Sequence, residues 1–303
     1  MKKVAVLCGG GSSSERVIGL RSGRAVFEAL KSKVEVQCFE LSLDALPPEL
    51  DPEHWIVLPM IHGEFGEDGQ LQALLEAKKF SYCGSDAAAS ALCMDKTRTK
   101  AAVQSHGILT ARSLRYAGQN FRELWEYMGG PLVIKPNNRG SSIGISRIGE
   151  REDFNARLKD LQEGSWLVES WIKGREITVG ILENKALPVI EIRVKEGFYD
   201  YQHKYTSGMT EYEVPAPIGA KKTQYIQHIA EEIFSYCGCR DFARLDFILT
   251  ERGEFYFLEV NTIPGMTATS LVPKAAAAAG ISFTDLCLKM LAAAIERDRS
   301  SQP

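Results

Sequence analysis

The chain has 303 residues, 45% hydrophobic and 25% charged, with a formal net charge of -3. That length allows two or three domains, each with its own core. The near-neutral balance supplies no basic field and no acidic tail, so no nucleic-acid partner is expected.

The opening "MKKVAVLCGG" puts two lysines before an apolar run that is too short for a signal peptide core. No later stretch approaches the length of a membrane span, so the chain reads as soluble, with no membrane partner. Seven cysteines are scattered without a framework. Cys237 and Cys239 are spaced C-x-C, but the histidines are dispersed, so no sulfur-bound metal is expected and reduced thiols in the cytoplasm fit best.

In chain order, "KVAVLC" predicts a buried strand, Gly9 to Ser14 a turn, and "ERVIGLRSGRAVFEALK" a helix with Ser14 as candidate cap. "VEVQCFEL" and "HWIVLPMIHG" read as further strands and "DGQLQALLEAKK" as a helix. Together they predict an α/β domain with a parallel sheet that ends near residue 85. A helical stretch from Ala87 to His106 follows. In the mixed region beyond it, "PLVIKP" and "SWLVESWI" read as strands around a charged helix near Glu150 to Gln162. From Glu176 to Pro264 strands dominate, with one helix around Lys222 to Cys237, and "SFTDLCLKMLAAAIERD" is an amphipathic closing helix.

The strands "ARLDFILT" and "EFYFLEVN" are separated by Arg252 and Gly253, a plausible tight hairpin turn. A two-residue loop puts Asp246 opposite Glu259 and Arg244 opposite Asn261. One face then carries those four residues, and the other carries Leu245, Phe247, Leu258 and Val260. Opposed carboxylates repel unless one keeps its proton or a cation lies between them. Two carboxylates plus an amide oxygen form a hard-oxygen set suited to magnesium or manganese shared with phosphates. An arginine-carboxylate cluster on a solvated face is the competing reading.

No P-loop sequence is present. "GGGSSSE" follows a strand as a dinucleotide fingerprint would, but its spacing lacks G-x-G-x-x-G. "VIKPNNRGSSIG" places Lys135 on a strand ahead of Arg139, Gly140, Ser141, Ser142 and Gly144. That loop is either a phosphate cradle or an ordinary surface hairpin. Further on, "VESWIKGREI" offers Glu169 and Glu176 flanking Trp171 and Ile172, suited to a purine and its ribose.

"GGGSSSER", "HGEFGEDGQLQALLE", "ALCMDKTRTK", "VIKPNNRGSSIG", "YDYQHKY", "RLDFIL" and "FLEVNTIPGMTATSLVP", in this order, resemble the D-alanine:D-alanine ligase family of ATP-grasp ligases. The resemblance spans residues 4 to 273. It implies an N-terminal parallel-sheet α/β domain (1–86) followed by a two-part ATP-grasp fold, α+β in character, with a central domain (87–176) and a C-terminal domain (177–303). The implied reaction is ATP-driven joining of two D-alanines through an acylphosphate, for peptidoglycan precursor synthesis, by a cytoplasmic homodimer.

The resemblance also implies roles at matching positions. Asp246, Glu259 and Asn261 would bind two Mg2+ (or Mn2+) ions. Lys96, Lys135 and Lys204 would contact the ATP phosphates together with Ser141 and Ser142. Glu169, Glu176 and the backbone of Trp171 and Ile172 would meet adenine and ribose. Arg244 and the N–H of Gly265 would stabilise the tetrahedral oxyanion. Glu15 would bind the first ammonium with His62 nearby, and Ser270 and the N–H of Leu271 would hold the second carboxylate. Tyr205 and Ser141 would close over the site together with Glu15. Relatives that make D-alanyl-D-lactate tend to carry histidine at the Tyr205 position, so the dipeptide is the expected product, although His203 lies two residues away. Two departures stand out. Gly19 replaces a common serine and is expected to loosen the first-alanine pocket, and Arg139 replaces an acid and is expected to add charge near the phosphates.

Overall fold

A computed structural model describes residues 2–10, 13–42, 44–140, 144–194 and 210–300. The first sheet has the order β2-β1-β3-β4, from Val36–Leu41 (β2), Lys3–Gly9 (β1), Trp55–Met60 (β3) and Ser81–Tyr82 (β4), and every pairing is parallel. Its central strands are nearly all apolar because both faces are covered. Val4, Val6 and Cys8 pack under α1 (Ser13–Leu30), while Ala5 and Leu7 pack against α2 (Gln70–Ala77). The helix begins at Ser13, ahead of the expected cap Ser14. The closing helix (Phe283–Ser300) returns to this sheet, and Leu286, Met290 and Leu291 enter the same core as Val4 and Val6.

The expected helix from Ala87 to His106 is two helices, α3 (Ala87–Met94) and α4 (Lys96–Gln104), broken at Asp95. The Asp95 carboxylate accepts from the Arg98 N–H, which caps α4 and turns the chain there. A second sheet, entirely antiparallel, follows in the order β5-β8-β6-β7: Ser113–Arg115 (β5), Trp166–Ser170 (β8), Leu132–Pro136 (β6) and Ser146–Ile148 (β7). Leu132, Ile134 and Val168 bury one face against α5 (Phe121–Met128) and α6 (Arg151–Arg157). Val133, Lys135 and Glu169 occupy the other face.

The third sheet runs β12-β11-β9-β13-β14, again antiparallel, from Thr210–Glu213 (β12), Ile190–Val194 (β11), Arg175–Leu182 (β9), Phe242–Leu249 (β13) and Phe255–Asn261 (β14). A short strand, Lys185–Ala186 (β10), pairs with β9. Ile177, Val179, Leu245 and Phe247 pack beneath α7 (Ala220–Tyr236) through Ile226, Ala230 and Ile233. The opposite face presents Glu176, Arg244, Asp246 and Glu259 to a cavity shared with the second sheet.

The hairpin between β13 and β14 differs from the expected turn. Thr250 pairs with Glu254, so the loop has three residues, Glu251 to Gly253, and Gly253 takes the left-handed φ of 86°. A bulge then shifts the register between Asp246 and Phe247, so that Phe247 opposes Phe257 while Asp246 still opposes Glu259. The longer turn and the bulge cancel, which restores the expected pairing at the base. The bulge also moves Leu258 off the core face, so it lines the cavity beside Glu259.

Candidate active site

The cleft between the two antiparallel sheets takes in about 910 Å³, part of which is open solvent. Ala111, Val133 and Leu258 supply apolar lining, and Trp171, Ile172 and Glu176 also line the cleft. Arg147 stacks over the Trp171 ring at 5.0 Å. The Trp171 backbone N–H donates to the Pro131 carbonyl (2.8 Å), so that donor is already taken.

One wall is a buried triad of charges. Lys135 on β6 and Glu169 on β8 share a face, and Lys135 Nζ lies 2.6 Å from Glu169 Oε2. Lys100 pairs with the other oxygen, Oε1. Burial alone would push the Glu169 carboxyl up, but Lys100 and Lys135 outweigh it and hold the carboxyl at about 2. Burial pulls the Lys100 ammonium below the usual lysine range, against the opposing pull of Glu169. Lys100 was not anticipated from the sequence.

The other wall is the hairpin base. Arg244 donates to both oxygens of Asp246, with Nε at 3.0 Å from Oδ1 and Nη2 at 2.8 Å from Oδ2. Thr178, two residues past Glu176 on β9, donates its hydroxyl to Asp246 Oδ1 at 2.6 Å. Asn261 Nδ2 lies 3.2 Å from Asp246 Oδ2. Turning that amide over would present its oxygen instead, and its orientation follows whichever partner is present. Lys96 Nζ reaches Glu259 Oε2 at 3.2 Å and donates to the Arg139 carbonyl at 2.6 Å. Each hairpin carboxylate is therefore paired with a cation of the protein.

Buried Asn137 sets the position of Lys96. Its Oδ1 accepts from the Thr97 N–H (3.0 Å) and hydroxyl (2.6 Å), its Nδ2 donates to Asp95 (2.9 Å), and its carbonyl accepts from the Lys96 N–H (3.0 Å). The expected phosphate loop is thus bolted to the start of α4. The Arg139 side chain is exposed, with Nε 4.0 Å from Glu64 Oε1. Ser141, Ser142, Lys204 and Tyr205 lie outside the described residues.

A third cluster lies where the first sheet meets the end of β14. Glu15, buried in the first turn of α1, lies against Gly63, where any Cβ would sit 2.0 Å from its Oε2. A Cβ on Gly140 would fall 3.0 Å from Oε1, so this carboxylate also meets the phosphate-loop entrance. Ser22, two turns after Glu15, accepts from the Met266 N–H (3.0 Å) and lies 3.3 Å from His62 Nε2. Glu67 accepts from the Gly63 N–H (2.7 Å) and the Ile263 N–H (3.3 Å). These two buried side chains tie the His62 turn to the segment holding Gly265. Gly19 faces the Met60 carbonyl, 3.0 Å from where a Cβ would be, so it lets α1 sit close to β3.

Gly265 is required for close approach: a Cβ there would meet Ser270 Oγ at 2.9 Å. Among the described residues no acceptor takes the Gly265 N–H. Ser270 precedes the helix Leu271–Ala278 (α8), and its hydroxyl accepts from the Thr267 N–H at 3.0 Å. Among the described residues no group of three or more His, Cys, Asp or Glu side chains is placed to hold a metal. The hard-oxygen donors are the Asp246 and Glu259 carboxylates with the Asn261 amide. The seven cysteines are free. No single helix among the described residues is long and apolar enough to cross a membrane.

The family described as D-ala D-ala ligase C-terminus matches residues 101–292. The D-alanine–D-alanine ligase of Syntrophotalea carbinolica is 44% identical, with 97% of this chain and 96% of that protein covered. The chain belongs to the D-alanine:D-alanine ligase family. Among solved structures, the D-alanine–D-alanine ligase from Bacillus anthracis complexed with ATP is 30% identical with a TM-score of 0.87, and both chains are fully covered. VanG, the D-Ala:D-Ser ligase from Enterococcus faecalis, is 29% identical with a TM-score of 0.78, covering 97% of this chain and 99% of that one. The ligase family's ATP-grasp architecture accounts for a cavity held between two antiparallel sheets.

Proposed function

We propose that this enzyme joins two D-alanines into D-alanyl-D-alanine, with conversion of ATP to ADP and phosphate, for peptidoglycan precursor synthesis. The observation that carries the reading is the convergence, beside a cavity between two antiparallel sheets, of opposed Asp246 and Glu259 with Arg244 and Lys96. The full-length likeness to D-alanine–D-alanine ligases supplies the substrate. The unit boundaries we propose are 1–86, 87–176 and 177–303, with the closing helix returning to the first unit.

Asp246, Glu259 and Asn261 would hold two Mg2+ or Mn2+ ions, which when bound screen the charge on the ATP phosphates. Their oxygens fit hard cations, and both carboxylates are already seats for positive charge. Lys96 and Lys135, with Lys204, Ser141 and Ser142, hold the phosphates. Glu169, Glu176, Trp171 and Ile172 frame adenine and ribose. Glu15 binds the first ammonium beside His62, so that this substrate's carboxylate oxygen attacks the γ-phosphorus as ADP leaves. Ser270 and the Leu271 N–H hold the second carboxylate. The second amine attacks the acyl carbon, Arg244 and the Gly265 N–H stabilise the oxyanion, and phosphate leaves as the amine proton passes to solvent. Tyr205 and Ser141 close over the site together with Glu15. The site works in a homodimer in the cytoplasm, in keeping with seven free thiols.

The test is product mass after incubation with Mg-ATP, D-alanine and equimolar D-serine or D-lactate near neutral pH. The expected product is mainly D-alanyl-D-alanine. A mainly mixed product would reassign the second substrate and leave the ATP site in place.

A further inference from the structure

The buried triad contains one lysine more than charge neutrality needs. Glu169 is 3% exposed, and Lys135 at 2.6 Å would suffice to neutralise it. Yet Lys100, 1% exposed and among the largest fully buried side chains, contributes a second ammonium to the same carboxylate. Burying an ammonium carries a large desolvation penalty, so an extra one is a poor device for stability alone. What it changes is the charge sum. With Lys100 present, two cations share one anion and the group keeps one net positive charge. Lys135 and Glu169 line the nucleotide cavity whereas Lys100 stands behind them, so that net charge faces the ligand through Lys135.

We propose that Lys100 is a positioning residue for the nucleotide: it neutralises Glu169 from behind, so that Lys135 presents an uncancelled positive charge to the phosphates. This rests on the reading of Lys135 as a phosphate contact. Lys100 also follows Lys96 by one helical turn in α4, so the helix capped by Asp95 positions the ammonium beside each wall of the cavity.

The test measures ADP and adenosine binding by isothermal titration calorimetry and takes the ratio of the two affinities. Adenosine carries no phosphate, so the ratio divides out changes in the base pocket. Lys100→Met is expected to lower the ratio roughly tenfold, the scale of one charged hydrogen bond. Lys100→Arg keeps the charge and should stay within about threefold of the parent. Glu169→Gln leaves two cations and raises the ratio, and Lys100→Met combined with Glu169→Gln restores one net charge and brings it back near the parent value. The last two variants carry the test if Lys100→Met alone does not fold. Equal weakening of ADP and adenosine in Lys100→Met, or a double variant with the low ratio expected of Lys100→Met, would overturn the proposal. An unchanged ratio in Lys135→Met would remove the phosphate role of Lys135 itself, and the proposal with it.

Discussion

The two walls of the nucleotide cavity balance charge in different ways. In the triad, Glu169, Lys100 and Lys135 have side chains 4%, 2% and 7% exposed, and the pairing is closed to water. At the hairpin base, Asp246 and Glu259 are 18% and 24% exposed, and each leans on one cation, Arg244 or Lys96. The triad keeps one net positive charge and the hairpin set is neutral. The buried wall is therefore a fixed charge, whereas the hairpin carboxylates can exchange protein cations for metal ions and phosphates at modest desolvation cost. A site that must bind and release a polyanion gains from having one wall of each kind.

The largest effect is expected at the exchangeable wall. Asp246→Asn removes an anionic donor and should lower the rate of D-alanine-dependent phosphate release by at least roughly 100-fold, as loss of several kcal/mol of charge stabilisation implies. A fall of less than tenfold would place the metal ions elsewhere.

The permanent wall should declare itself in acid. Its carboxyl is lowered in the folded chain from 4.5 to about 2, so its contribution to stability is fully present above pH 4.5 and is lost as pH falls toward 2. Unfolding by denaturant should therefore lose at most roughly 3 kcal/mol through this group across that window. Glu169→Gln should flatten that part of the profile, and an unchanged slope would contradict the buried pairing.

A smaller effect separates Asp246 from its neighbour. Thr178→Val keeps the volume and deletes the hydroxyl's short bond to Asp246 and its longer one to the Leu245 carbonyl, so Mn2+ binding with ADP should weaken by roughly fivefold, or about 1 kcal/mol. Titration of the Mn2+ signal checks it. The smallest effect belongs to the hairpin tip. Gly253→Ala forces a left-handed alanine and should cost about 1 kcal/mol of stability in denaturant melts with catalysis unchanged. A loss of activity there would mean that the tip, and not the bulge, sets the register at Asp246 and Glu259.

The first sheet was readable because its central strands are short apolar runs bounded by turn residues, and the hairpin base because opposed strands share a face. The expected pairing of Asp246 with Glu259 held through two compensating features, a three-residue loop and a bulge, neither of which a count of apolar residues encodes. Helix α5 went unread although Asn120 and Glu123 form a capping box at its start. Lys100, Thr178 and Ser22 were also missed, although each repeats the helix or strand period from an expected site residue: Lys96, Glu176 and Glu15. Glu67 also reaches the Ile263 N–H and Asn137 the Thr97 N–H, partners brought close only by tertiary folding, so those contacts left no local signal.

The most direct test of the account is phosphate release from Mg-ATP with D-alanine, repeated with L-alanine, with the product weighed by mass spectrometry. The expected result is D-specific release with one D-alanyl-D-alanine formed per phosphate. Phosphate release without dipeptide, or no release with either alanine, would contradict it.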